Sequence, residues 1–114
     1  MRKIKALMPS LREKKRYVAF EVNSQDRLNS FEVGRAIMNS AINFMGELGL
    51  AGAGMMHLPE VYKNNKGIVR VNHQYLDNAR ASFALIKSIN NKPATIKSLS
   101  ASGAINKVKK LIAG

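Results

Sequence analysis

His57 and His73 are the chain's imidazoles, and both read as isolated: no second histidine stands beside either at metal-ligand spacing. The sequence has no cysteine, which excludes thiolate nucleophiles, thiolate metal sites and disulfides. Its seven carboxylates form no D-x-D or E-x-x-H arrangement of the kind that holds a metal for nuclease chemistry. Gly46, Gly49, Gly52 and Gly54 make a loose G-x-x-G-x-x-G-x-G run. It falls at the end of a helical pattern, not between a strand and a helix N-terminus, so it reads as turn and close packing instead of a phosphate loop. These grounds assign no catalytic residue and no metal ligand.

What the residues do supply is positive charge. The formal net charge of the 114 residues is +12. Residues 1–16 hold seven Lys or Arg against Glu13, residues 17–60 are net −3, and residues 61–114 hold ten Lys or Arg against Asp77. So large an excess opposes compactness unless an anionic partner relieves it, and nucleic acid is the usual one. A membrane surface is the rival, but no basic amphipathic helix carries bulky anchors, tryptophan is absent, and no apolar stretch is of spanning length. No membrane partner is expected. The start of the chain has no apolar run after its charges, so we read a soluble, cytoplasmic protein.

The phosphate-neutralising candidates are Arg12, Lys14, Lys15 and Arg16, then Arg70, Lys97, Lys107, Lys109 and Lys110. Residues 1–15 read as a basic N-terminal segment and residues 16–114 as one domain.

The elements that must position these groups follow from periodicity. Arg16 to Val22 alternates, with Val18, Phe20 and Val22 on the buried side. Ser30 to Leu48 repeats Val33, Ile37, Ala41, Phe44 and Leu48 at helical spacing, with Asn29 and Glu32 as a capping box and Gly49 as the left-handed stop. Met38, Ile42 and Met45 widen that apolar face, either as core or as a protein interface. A second strand falls within residues 53–62, and Asn64 to Gly67 turns into a third at Ile68 to Val71. A helix over residues 74–89, capped by Asn72, leads through a loop at Asn90 to Pro93 into a fourth strand over 94–101. A short helix closes the pattern over 103–112, with Ser102 as its cap.

This order predicts an α+β fold, an RRM-like or ferredoxin-like sandwich of a four-stranded antiparallel sheet with packed helices and a C-terminal helix. The third strand has no aromatic and the first offers only Tyr17 on its other face, beside Glu21. Such a sheet is a poor platform for stacking bases, so RNA recognition by phosphate contact and shape is expected.

Two segments carry a family resemblance. Met8-Pro-Ser-Leu-Arg-Glu-Lys-Lys-Arg-Tyr-Val-Ala-Phe-Glu-Val22 and Gly67-Ile-Val-Arg-Val-Asn-His-Gln-Tyr-Leu-Asp-Asn-Ala-Arg-Ala-Ser-Phe-Ala-Leu-Ile86 resemble the archaeal ribonuclease P protein component 2 family. The end, Ser102 to Lys107, is similar to a Ser-Gly-Thr-Ile-basic-Lys ending, from which Ala104 and Asn106 depart. The resemblance implies a non-catalytic subunit of a ribonucleoprotein that removes the 5′ leader from precursor tRNA. It implies that the RNA is the catalyst and uses magnesium, that this chain binds no cofactor, and that it meets precursor tRNA only indirectly. It also implies a larger barrel-shaped protein partner in a heterotetramer with two copies of each. A ribosomal-type RNA binder, and a protein-interaction subunit with solvated basic ends, are the alternatives.

Overall fold

The computed structural model describes residues 14–113. Strand β1, Lys15–Asn23, runs through the middle of the sheet. Helix α1 follows at Ser30–Ala53, then the two-residue strand β2 at Met56–His57 and strand β3 at Lys66–Asn72. Helix α2 spans Leu76–Ala84. A small hairpin of β4, Ser88–Ile89, and β5, Lys92–Pro93, precedes strand β6 at Thr95–Ser102 and helix α3 at Ile105–Ala113. The main sheet has the order β2-β3-β1-β6, with each neighbouring pair antiparallel. The β-α-β-β-α-β frame with a terminal helix is the expected fold class.

The alternation of β1 explains why the sheet has two cores. Val18, Phe20 and Val22 join Val69 and Val71 of β3 against Val33 and Ile37 of α1 and Phe83 of α2. On the other side, Ala19 and Ile68 pack with Val108 and Ile112 of α3. The face on which Tyr17 and Glu21 lie is therefore not open: α3 covers its centre, and Ala19 and Ile68 are fully buried. Each fully buried apolar side chain of this kind contributes on the order of 1.5–3 kcal/mol.

Helix α1 begins as the sequence dictates. Asn29 Oδ1 accepts from Glu32 N at 2.8 Å, and Glu32 Oε1 accepts from Asn29 N at 3.2 Å. Its end differs from the expectation. The helix is interrupted at Gly46, whose φ is +79°, and the left-handed stop is Gly54, at φ +56°, not Gly49. The interruption breaks the phase of the apolar stripe beyond it, so Leu48 is exposed instead of buried, and Phe44, just before the break, is exposed as well. Gly52 lies so close to Tyr75 that a Cβ would sit 2.8 Å from its hydroxyl, so a larger residue there requires the Tyr75 ring to shift.

Helix α2 is also shorter than expected. The segment Asn90 to Pro93 is the turn and second strand of the small hairpin, not a plain loop. Asn90 and Asn91 take φ values of +53° and +66°, matching Asn64 and Asn65 at +52° and +61° in the turn before β3. Asparagine tolerates this region better than most residues, which suits the mirror-image hairpin turn. Asn72 does stand at the N-cap of a one-turn 3-10 helix, His73–Tyr75, that leads into α2, but its side chain makes no capping bond. It is buried, donates from Nδ2 to Gly52 O at 2.7 Å, and accepts from Lys15 Nζ.

Candidate nucleic-acid interface

The register of the sheet decides which cations share a surface. Tyr17 pairs with Arg70 and Ser102, and Glu21 pairs with Lys66 and Lys97. Cross-strand partners point to the same side. Lys15, Arg70 and Lys97 therefore belong to the side of the sheet on which α3 lies. Lys66 belongs there too, a residue the sequence reading did not single out; its cross-strand place opposite Glu21 needed the register.

Helix α3 carries the densest charge. Val108 and Ile112 are buried on the sheet, while Lys107, Lys109 and Lys110 are exposed. An Ile-x-x-Val-x-x-x-Ile spacing fixes that orientation, since residues three and four apart share a helix face. Ser102 Oγ accepts from Ala104 N at 3.1 Å and helps start the helix. Arg16 stands at this entry. Its Nη1 donates to Lys15 O at 3.2 Å and lies 3.1 Å from where a Cβ on Gly103 would be.

The other candidates are placed individually. Lys14 is exposed, and its carbonyl accepts from His73 N at 2.7 Å. Lys97 is exposed on the edge strand. Arg70 is half-buried; its Nη2 donates to Met56 Sδ at 3.6 Å, and its Nε is buried without a partner. Arg12 lies outside the described residues. Lys15, Arg70 and the α3 lysines thus border one side of the molecule, with Lys97 four β1 positions from Arg70, while Arg16, paired with Val71 of the main core, leaves β1 toward the other side and reaches the entry of α3 only at the strand's end. Such a surface can hold phosphates.

Met38, Ile42 and Met45 are each half-buried on α1, with Met45 packed against the main core. The structure adds Phe44 and Leu48, 45% and 91% exposed, to the apolar residues of the same helix.

His57 is less isolated than it reads in sequence. Its Nε2 is 3.0 Å from Ser30 Oγ, Phe20 and Tyr62 flank it with ring centroids 6.0 Å away, and Nδ1 is buried without a partner. Burial pushes its pKa below the ordinary histidine value, and the charge of Glu60 opposes that only in part. Since the folded pKa is depressed, the unfolded chain takes up the proton first, beginning near pH ~6.5. This group's contribution is therefore expected to be flat above that pH and to lower stability as pH drops below it. Urea midpoints taken across that pH should show the fall in the native chain and a flatter profile in His57→Gln. Equal slopes in the two proteins would assign the effect elsewhere.

Among the described residues, no group of three or more His, Asp or Glu is placed to hold a metal ion, and no helix is long and apolar enough to cross a membrane.

A model of the Rpp14/Pop5 family matches residues 16–113. The chain belongs to the Rpp14/Pop5 family. Relatives of this Rpp14/Pop5 member include the ribonuclease P protein component 2 of Pyrococcus abyssi, 37% identical over 95% of this chain and 92% of the relative. The protein of the same name from Methanosarcina mazei is 35% identical over 91% of this chain and 88% of the relative. A chain in the cryo-EM structure of yeast ribonuclease MRP shares the fold, with a TM-score of 0.65 at 16% identity over 90% of this chain and 88% of that one. The Rpp14/Pop5 match spans β1 to α3, the same elements that present the basic side.

Proposed function

We propose that this chain is a protein subunit of ribonuclease P, binding and assisting the catalytic RNA that removes the 5′ leader from precursor tRNA. The observation that carries the reading is its likeness, over nearly its whole length, to relatives named ribonuclease P protein component 2. The arrangement of charge supports it. The α3 lysines, with Lys15, Arg16, Arg70 and Lys97, neutralise phosphates of a folded RNA, as Arg12 and Lys14 do from the N-terminal segment. Contacts to phosphate position a protein without reading sequence, which suits an RNA recognised by shape. The RNA performs the cleavage and holds the magnesium ions; this chain supplies neither a nucleophile nor a metal.

The protein partner is a larger, barrel-shaped subunit, in a heterotetramer with two copies of each. Its docking surface is the apolar stretch of α1 formed by Met38, Ile42 and Met45, continued by the exposed Phe44 and Leu48. Large exposed apolar groups in succession are expected to be covered.

Reconstitution tests the whole reading. Adding this chain to the RNA at low magnesium is expected to accelerate maturation of precursor tRNA, more so with the larger subunit present. No change in rate with either addition would sink the proposal, and cleavage by the chain without RNA would replace it with a protein nuclease.

A further inference from the structure

Phe31 is 71% exposed in the first turn of α1, and Arg35 lies one turn on, its guanidinium carbon 5.7 Å from the ring centroid. A cation held over a ring at this distance is attracted to its π-face. Arg35 covers one face of the ring, and the exposure leaves the other free.

Both residues line a groove of about 690 Å³ between α1 and the segment that leaves α2. Asn39 and Asn43 line it with exposed amides, and Lys87 adds a second cation. Glu32 lines it as well, but its carboxylate is already engaged, accepting from Asn29 N and from Asn90 Nδ2. Those bonds hold Glu32 in its charged form, so Arg35 and Lys87 together leave the groove one net positive charge.

We propose that this groove seats one unpaired nucleotide of an RNA, its base stacked on Phe31 and its phosphate held by Arg35 and Lys87. Asn39 and Asn43 supply donors and acceptors for the base edge. Aromatic stacking beside Arg and Lys is the way single strands are held without a paired partner. A protein-docking surface is depleted of charge at its centre, and this groove is not. The sheet side on which an RRM would stack bases is covered by α3, so a base must find its ring elsewhere. The proposal rests on the RNA-binding reading and extends it to a surface away from the α3 lysines.

The test uses the whole chain and two probes, a short single-stranded oligo-uridine and an RNA duplex, followed by fluorescence anisotropy. Phe31→Ala is expected to lower affinity for the single strand about tenfold, with the salt dependence unchanged. Phe31→Trp should retain binding, Arg35→Gln should reduce the slope of log affinity against log salt by about one, and duplex binding should not respond to Phe31→Ala. Phe31 is mostly exposed, so its variants should keep the native unfolding midpoint. As a second measurement, 5-iodouridine in the single strand should photo-crosslink to the peptide containing Phe31 in the native chain.

Native affinity of Phe31→Ala for the single strand, or equal losses in Phe31→Ala and Phe31→Trp, would overturn the groove. So would a Phe31→Ala defect seen only in capture of the barrel-shaped subunit, which would give the groove to protein. If the native chain holds ribonuclease P RNA while Phe31→Ala changes nothing, the groove fails and the RNA reading stands. If the native chain binds neither RNA, both fall together.

Discussion

Phe20→Ala is expected to destabilise the fold by about 3–5 kcal/mol. The ring sits on the central strand, fully buried, with the rings of His57, Tyr62 and Phe83 around it at 6.0, 6.4 and 5.9 Å between centroids. Aromatic pairs in such tilted arrangements add to the area they bury. The site is also unable to collapse into the space left behind. The backbone of Gly67 in β3 lies against the ring, held in place by its pairing with Phe20. A Cβ there would lie 2.8 Å from Phe20 Cζ and 2.9 Å from Tyr62 Cδ1, so strand and ring already touch. Tyr62 is itself fixed, donating to Leu28 O at 2.8 Å, with burial pushing its hydroxyl pKa up to about 12. A cavity lined by tethered groups retains most of its cost. Since a domain's whole stability is of order 5–15 kcal/mol, the variant should be marginal at 37 °C. Urea unfolding measures it: a large drop in midpoint with the native slope is expected, and a loss under about 1 kcal/mol would mean the core is not centred on this ring.

How far the sequence foretold this arrangement depended on the range of the interaction. The alternation of β1 and the Asn29–Glu32 capping box are local, and both are where the residues put them. The end of α1 was not legible, because Gly46, Gly49, Gly52 and Gly54 each offer a stop and only tertiary contacts select among them. Leu48 keeps the spacing of a core residue but lies beyond the break at Gly46, where phase no longer predicts burial, and Phe44 sits in the last turn before it. Asn72 has the chemistry of a cap and is instead tied to Gly52 and Lys15, both distant in sequence. The Asn90-Asn91 pair was legible in principle, since the same dipeptide at Asn64-Asn65 was read as a turn. The candidate cations could be counted from sequence, but their gathering on one side required the β1–β3 and β1–β6 registers. Phe31 is in helical phase with Met38, Ile42 and Met45, so the sequence could suggest an apolar face there, but not that this ring stays exposed under Arg35.

Replacing Lys107, Lys109 and Lys110 together with Ala is expected to weaken binding to ribonuclease P RNA about a hundredfold at ~0.1 M salt. The three side chains are exposed on α3, while Val108 and Ile112 anchor the same helix to Ala19 and Ile68. Charge can therefore be removed without touching the packing, and alanine favours the helix at least as much as lysine. Each lysine that neutralises a phosphate releases bound counterions, and the gain is lost when the lysine is. Three fewer contacts should make the slope of log affinity against log salt shallower by roughly 2–3. Affinity and slope must fall together, which separates the electrostatic account from a folding defect: a partly unfolded protein loses affinity at every salt concentration and keeps its slope. The contrast with Phe31→Ala is equally informative, since loss of a stacking ring weakens binding at constant slope. A triple variant with native slope would show that α3 faces solvent or protein, and would leave the strand cations Lys15, Arg16, Arg70 and Lys97 to hold the RNA unaided.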